Sequence, residues 1–472
     1  MRMSETARFT NNGKCGSSSK TNVQKSQKVL LVYPNIPKVA TQPPLGLMYI
    51  AQVLRAAGHM PRIIEGTAEM IRQQFERTLI LNLDRPDFIG ITCMSSMYHE
   101  ILKIRDYFHQ WNIPLIFGGV HATILPETLL CDDVHLMDYV VQGEGEKTML
   151  KIVEGEIVAH KSENLIVQGE RTENLNELPF PARDLVDPRY LRHSVSILAS
   201  RGCPFNCSFC QPTLRKVFGE RVRRRSPWNV VCEMISCKRE FGIRDFEFFD
   251  DTFTSDKNWV YEFCDLVEPL PFTWKALSRV DMLDPHLLAY MKMAGLSKLS
   301  LGIESGSQEI LNSYSKGVTV EQSHNVLEWC KDLGIKVHGF FMIGALDETQ
   351  ETIQKTKEFI RQHEFDTIFV TVTTPTPCTR LYDQAVKEGR LKVDWKDFDL
   401  LGSLTQLVHP KTVDQAVPMK LNYLKSQDVL KARYELLRSF YLRKIRNPLY
   451  LWNFIRKNGL HYAWEGAMNV FR

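Results

Sequence analysis

The sequence predicts an α/β protein built in two successive units. The first is a doubly wound, Rossmann-like domain; the second is a partial barrel of six β/α units, followed by a helical C-terminal region. Three observations point there. From Lys28 onward, short β-branched runs alternate with amphipathic stretches of helical period. The alternation breaks at a stretch carrying Pro179, Pro181 and Pro188, then resumes. At 472 residues the chain is long enough for two or three domains with separate cores. The expected divisions are a disordered tail over 1–27, the Rossmann-like unit over 28–165, a linker over 166–190, the barrel over 191–400 and the helical region over 401–472.

Composition narrows the class. Hydrophobic residues make up 44% and charged residues 24%, as in ordinary globular proteins. A formal net charge of +4 gives no argument for nucleic acid as a partner. The stretch from Met1 to Ser26 is polar and has no apolar core of a signal peptide, and no apolar run approaches the ~20 residues of a membrane span. A cytoplasmic protein is therefore expected. The eleven cysteines are an odd number, which together with that setting argues against a disulfide framework. Cys15, Cys93, Cys131, Cys264, Cys330 and Cys378 are scattered and read as small core hydrophobes. Cys232 and Cys237 are five apart on an expected helix and do not share a face.

In the first unit the strand-like runs are Val29–Tyr33, Arg62–Glu65, Phe88–Cys93, Pro114–Phe117 and Tyr139–Gln142. Helical stretches such as Leu47–Ala57, closed by Gly58, and Glu100–Trp111 lie between them. Five such strands imply a parallel sheet with ligands at its carboxyl edge. The polar and glycine-rich segments fall at that edge: Pro43-Pro44-Leu45-Gly46, Ser95-Ser96, Gly118-Gly119-Val120-His121 and Gly143-Glu144-Gly145-Glu146.

In the second unit the strands are expected at Val195–Ser200, Phe246–Asp250, Phe272–Leu277, Lys298–Ile303, Val337–Ile343 and Thr367–Thr373. The residues at the end of each strand test the register. A cysteine loop comes after the first, Asp250 and Asp251 after the second, Arg279 with Asp281 after the third, Glu304-Ser305-Gly306 after the fourth. His338 and Gly344 belong to the fifth, Thr373 and Thr374 to the sixth. A polar group recurs at the same end of the strands, where a β/α barrel keeps its active face.

The cysteine loop carries the chemistry. Arg201-Gly-Cys203-Pro-Phe-Asn-Cys207-Ser-Phe-Cys210 presents three thiolates at CxxxCxxC spacing. A four-iron cluster normally takes four cysteines, so three leave one iron with an open position. Zinc would want a fourth ligand at finger-like spacing, and the next cysteine, Cys232, is more than twenty residues away. The spacing resembles the signature of the radical S-adenosylmethionine (SAM) superfamily. So do Phe248-Phe249-Asp250-Asp251-Thr252-Phe253, Leu301-Gly302-Ile303-Glu304-Ser305-Gly306-Ser307 and Gly339-Phe340-Phe341-Met342-Ile343-Gly344. The run Pro375-Thr376-Pro377-Cys378-Thr379 resembles a closing Pro-x-Pro-Gly-Thr motif with Cys378 in place of glycine, and Ala345-Leu346-Asp347-Glu348-Thr349 departs from Leu-Pro-Gly-Glu-Thr. The first unit is similar to the cobalamin-binding domain that precedes many of these enzymes, through Pro44-Leu45-Gly46-Leu47-Met48-Tyr49-Ile50-Ala51, Gly118-Gly119-Val120-His121-Ala122-Thr123 and Val141-Gln142-Gly143-Glu144-Gly145-Glu146. The whole resembles the subgroup of class B methylases and anaerobic Mg-protoporphyrin ester cyclases, over about residues 28 to 400.

The resemblance implies a site. Cys203, Cys207 and Cys210 would hold a 4Fe–4S cluster, favoured as thiolates by Arg201, and the free iron would chelate SAM, whose cleavage gives a 5′-deoxyadenosyl radical. Phe209 would pack on the adenine or exclude water. Glu304 would accept ribose hydroxyls or form a barrel-mouth salt bridge, with Arg279 as the partner considered. One of Asp250 and Asp251 would face SAM or substrate, the other reading being a helix cap. Arg279 would fork onto the SAM carboxylate or balance Asp281. Thr92, Ser95, Gly118 and Gly119 would line the cobalamin tail. No Asp-x-His-x-x-Gly follows the first strand, so no histidine is placed to ligate cobalt, and His121 is expected in a loop rather than on the metal. An empty Rossmann-like domain is the alternative to cobalamin.

The expected function is C-methylation of a substrate radical. Oxidative cyclisation or ring rearrangement without methyl transfer is the alternative in the same class, and a non-catalytic iron–sulfur carrier the one outside it. A small-molecule or lipid substrate and an external donor such as flavodoxin or ferredoxin are the expected partners, in an anaerobic setting. From Lys431 to Lys457, basic residues (Arg433, Arg438, Arg443, Lys444, Arg446, Arg456) interleave with aromatics (Tyr434, Phe440, Tyr441, Tyr450, Trp452, Phe454). This reads either as a helix packed on the protein or as one touching an anionic membrane.

Overall fold

The computed structural model describes residues 25–35, 42–80, 85–130, 138–158, 165–192, 194–210, 218–398, 413–446, 448 and 452. The expected tail up to residue 24, Cys15, Cys131, Tyr450, Phe454, Arg456 and Lys457 lie outside them. The first sheet contains β1 (Lys28–Pro34), β2 (Met60–Gly66), β3 (Phe88–Thr92), β4 (Leu115–Gly118), β5 (Tyr139–Gln142) and β6 (Leu165–Gln168). All pair in parallel, in the order β2-β1-β3-β4-β5-β6. Alternate residues point to opposite faces. Val29 and Leu31 pack under α1 (Leu45–Ala56) and, further along the sheet, α5 (Glu146–Val153); Leu30 and Val32 pack toward α2 (Ala68–Ile80) and α3 (Tyr98–His109). A short α4 (Val120–Ile124) follows β4. The strand order reverses between β1 and β3, which opens a crevice at their carboxyl ends.

One strand escaped the sequence reading. β6 extends the sheet to Gln168, past the expected boundary at 165, and pairs with β5 over Leu165 to Gln168. Ile166 on it is 37% exposed, so its pattern is that of a half-covered edge rather than of a core strand.

The second sheet runs β7 (Val195–Ile197), β10 (Asp245–Phe248), β11 (Thr273–Ser278), β12 (Leu296–Glu304), β13 (Lys336–Ile343) and β14 (Thr367–Val372), each beside its predecessor and parallel to it. Between β7 and β10 a two-stranded ribbon is inserted, β8 (Ser200–Arg201) against β9 (Arg223–Arg224). Helices α6 (Pro227–Phe241), α7 (Lys257–Val267), α8 (Pro285–Met293), α9 (Gln308–Ser313), α10 (Val320–Asp332) and α11 (Gln350–Gln362) connect the strands. Their starts are written locally. Ser226, Asp256 and Asp284 accept the N–H groups of Asn229, Trp259 and Leu287, and Thr319 forms a capping box with Gln322. Gly242, at φ 73°, ends α6 in the left-handed region.

Short α12 (Arg380–Lys387), α13 (Val413–Ala416) and long α14 (Ser426–Ile445) follow. Val429, Ala432, Leu436 and Phe440 of α14 join the barrel core. Arg433 Nε donates to the Val370 carbonyl at 2.9 Å, and Arg443 to the carbonyls of Arg361 and Ile360. The helix therefore covers the edge strand β14, a position that sheets otherwise leave open to unwanted pairing. No helix among the described residues is long and apolar enough to cross a membrane.

Candidate active site

The cysteine loop leaves β8 and is held from several directions. Ser208 N–H donates to the Tyr314 carbonyl at 2.9 Å, and Leu381 N–H of α12 to the Ser208 carbonyl at 3.0 Å. Arg380 donates to the Asn206 carbonyl. Asp250, fully buried, accepts Ala199 N–H at 3.1 Å and the Ser200 hydroxyl, pinning the chain as it leaves β7. Asp251 is half-buried and accepts the Gly202 N–H. Burial, reinforced by neighbouring Asp250, pushes its carboxyl up to about 6. Of the two, Asp250 is a clamp and Asp251 is the one turned to the loop.

Cys203, Cys207 and Cys210 are free thiols. Among the described residues no three Cys, His, Asp or Glu side chains are closed to metal-ligand distance, so the fit of a cluster rests on donor chemistry. The Thr252 hydroxyl lies 3.5 Å from Cys203 Sγ, and Arg279 Nη1 donates to Cys207 Sγ at 3.5 Å. Three thiols on one loop, two of them with hydrogen-bonding neighbours, suit cluster thiolates, whose potential such bonds tune.

Arg279 does not offer a free fork. Its Nε and Nη2 engage Asp281 at 3.0 Å, Nη2 also reaches the Lys316 carbonyl at 2.6 Å, and its guanidinium carbon sits 3.6 Å from the Phe205 ring centroid. With those donors engaged, it supports the loop rather than grips the SAM carboxylate. Glu304 closes β12 at φ 66° and pairs with Lys316 Nζ at 2.8 Å. The salt bridge is present, but its partner is Lys316 rather than Arg279. A non-glycine residue there costs about 1–2 kcal/mol, and a Cβ on Gly302 would strike both members of the pair, at 2.7 and 2.8 Å. Lys316 had no sequence signal: Ser315-Lys316-Gly317 reads as a turn. Phe209 packs edge-on to Tyr314 with ring centroids 5.0 Å apart, and Lys316 Nζ lies 5.9 Å from the Phe209 ring centroid.

At the carboxyl edge of the first sheet lies a cavity of about 270 Å³. Thr92, Gly118 and Gly119 line it, together with Leu31, Gly90, Phe117, Val141, Gly143, Glu144 and Gly145. Gly119 sits at φ 91°, and a Cβ there would meet Thr92 Oγ1 at 3.0 Å and the Cys93 carbonyl at 3.1 Å. The wall is apolar and shaved by glycines, which fits the flat nucleotide tail of a cobalamin. Ser95 is not part of it. Its hydroxyl meets His121 Nδ1 at 3.0 Å. His121 Nε2 meets Thr128 Oγ1 at 2.9 Å, and that hydroxyl itself donates to the Leu125 carbonyl. Nε2 therefore carries the proton, and both ring nitrogens are engaged. Burial pulls the imidazole down to about 4. His121 stands on α4 rather than in a loop, and no cobalt-ligand role is open to it in this arrangement.

A buried ionic network joins cavity and loop. Arg201 contacts Glu146 and lies 3.2 Å from Glu144; Arg223 contacts Glu144 and the Thr172 carbonyl. All four charged side chains are at most 8% exposed. Burial would raise the Glu146 carboxyl, but Arg201 outweighs it and holds Glu146 below the usual range. The charge of Arg201 is thus consumed by the two glutamates, and among the described residues it is Arg279 that donates to a thiol of the loop, that of Cys207. Removing one member of such a set costs about 3–5 kcal/mol because the others are left buried and unpaired.

Comparison with known proteins agrees with this architecture. The Radical SAM superfamily profile matches residues 197–360 and the B12 binding domain profile residues 39–153. The chain belongs to the radical SAM superfamily, in the branch whose members carry a B12-binding domain. It is 33% identical to the uncharacterized methyltransferase PH0819 of Pyrococcus horikoshii, over 89% of this chain and 93% of that one. It is 27% identical to the anaerobic magnesium-protoporphyrin IX monomethyl ester cyclase of Rubrivivax gelatinosus, over 82% and 74%. The fold matches the radical SAM methyltransferase TsrM of Kitasatospora setae, solved with cobalamin and a 4Fe–4S cluster, at TM-score 0.59 and 18% identity over 77% of this chain and 75% of that one. The protein is an enzyme whose cofactors are SAM, a 4Fe–4S cluster and cobalamin. It works on a small molecule with electrons from an external reductant.

Proposed function

We propose that the protein methylates an unactivated carbon of its substrate. When bound, the cofactors supply one-electron cleavage of a sulfonium and a transferable methyl group. The chain's own residues bind and orient. Cys203, Cys207 and Cys210 hold the iron; Arg279 donates a hydrogen bond to the Cys207 sulfur, and the Thr252 hydroxyl, which donates to the Asp251 carbonyl, lies beside Cys203. Glu304, paired with Lys316, offers an acceptor for ribose hydroxyls; Phe209 and Tyr314 give an apolar wall against water; Asp251 offers a carboxyl turned to the loop. Thr92, Gly118 and Gly119 receive the cobalamin tail.

The observation that carries this reading is that the glycine-lined cavity and the three-cysteine loop share one wall, through Arg201, Glu144 and Glu146. The relatives include a methyltransferase and a cyclase, and the greater identity, 33% against 27%, is to the methyltransferase. Flavodoxin or ferredoxin fits as donor, with the protein in the cytoplasm. Peripheral membrane contact, or a lipid substrate, would rest on exposed Lys431 and Arg438 of α14 and Arg446 just after it, because Arg433 and Arg443 engage backbone carbonyls.

Anaerobically purified protein extracted for cobalamin, then supplied with SAM, reductant and candidate substrates, tests the proposal. A methylated product with S-adenosylhomocysteine supports it. 5′-Deoxyadenosine with an unmethylated, cyclised product replaces it with the cyclase reading. Cobalamin-free protein that still turns over contradicts it.

A further inference from the structure

We infer that the cavity wall and the cysteine loop are one coupled unit, so that loading at either site tightens the other. The inference rests on the cobalamin reading of the cavity and goes beyond it.

The ribbon that carries the loop sets two like charges opposite each other. Arg201 and Arg223 are register partners on β8 and β9, and like charges directly opposite in an antiparallel pair repel. Here they are buried as well. What allows the pairing is Glu144 and Glu146, which reach in from the end of β5 and the start of α5 in the other domain. Two carboxylates close two guanidinium groups into a neutral set that is shielded from water. Tyr49 backs Arg201 at 5.6 Å and Phe218 at 5.9 Å. Tyr49, Glu144, Glu146, Arg201 and Phe218 also line the cavity. A ligand that fills the cavity therefore packs against the side chains that set the ribbon, and Cys203 comes two residues after Arg201. Ordering the loop around iron fixes Arg201, which fixes the glutamates and the wall. Coupling of this kind is reciprocal.

The test uses the full chain under anaerobic conditions, iron-stripped and cluster-reconstituted, with hydroxocobalamin as the probe. The dissociation constant is expected to fall about fivefold or more on cluster loading, within the usual 5–150-fold range of such couplings. In Glu146→Gln, and separately in Arg201→Lys, each with wild-type circular dichroism, the ratio of the two dissociation constants is expected to drop to within about twofold of one, whatever the affinity of the cluster-free variant itself. Hydrogen exchange gives a reading that needs neither probe nor variant: cluster loading slows amide exchange across 143–149. An unchanged dissociation constant in the wild type, a ratio that persists in the folded variants, or unchanged exchange across 143–149 overturns the coupling. No hydroxocobalamin binding in either form sinks the cobalamin reading instead, and exchange then still decides whether loop and wall move together.

Discussion

Cys207 receives Arg279 Nη1 at 3.5 Å, and that guanidinium is held in turn by Asp281 and the Lys316 carbonyl. Outer-shell partners of metal ligands typically matter about 10–100-fold in metal affinity or activity. Arg279→Gln is accordingly expected to lower iron retention or SAM turnover by about 10–100-fold, read by iron analysis and product chromatography, with circular dichroism unchanged. His121 makes a separate prediction. Its native pKa, about 4, lies below the ordinary 6.5, so below pH 6.5 the unfolded chain takes up a proton that the folded one refuses. The stability of the neutral buried ring is complete above pH 6.5 and is lost as pH falls toward 4. Between pH 7 and pH 5 this amounts to about 2 kcal/mol. Urea unfolding at the two pH values should show His121→Asn losing less stability than wild type by that margin. The sequence placed His121 off the metal but not in its pair of hydroxyls. Ser95 and Thr128 lie 26 and 7 residues away along the chain, and hydroxyl partners at such separations leave no periodic trace. Lys316 was illegible for the same reason.

The strands were legible where both faces are covered. Val29–Tyr33 and Phe88–Cys93 announce themselves as β-branched runs, and the structure has β1 and β3 there. The elements that escaped were β6, half-covered at a sheet edge, and the two-residue ribbon β8–β9, whose paired arginines read in sequence only as charge. The glycine-rich segments at the carboxyl edge of the first sheet were legible, the structure has a cavity there, and one of the glycines gives a clean test of what fills it. Gly118 lines the cavity, is not at positive φ, and has no atom within 4 Å of a Cβ built on it. Gly118→Leu should therefore fold normally and place its side chain in the cavity. We expect hydroxocobalamin affinity to fall about tenfold or more, measured by equilibrium dialysis, with little change in melting temperature. Undiminished binding would move the cofactor tail elsewhere.

Across the whole molecule, two parallel sheets bring their carboxyl edges to one junction, and the described part of the cysteine loop, up to Cys210, lies in it. The first sheet contributes Glu144 and Glu146, the barrel contributes Tyr314 and Glu304, and the segment after β14 contributes Leu381 and Arg380. The proposed chemistry at this junction requires three protein sulfurs on the cluster and an iron left open to SAM. The most direct measurement is SAM cleavage by the anaerobically reconstituted, reduced enzyme carrying about four irons per chain. Wild type should convert SAM to 5′-deoxyadenosine or S-adenosylhomocysteine, and Cys207→Ala should form neither above background. Iron-replete wild type that leaves SAM intact, or a Cys207→Ala variant that consumes it at the same rate, would contradict the account.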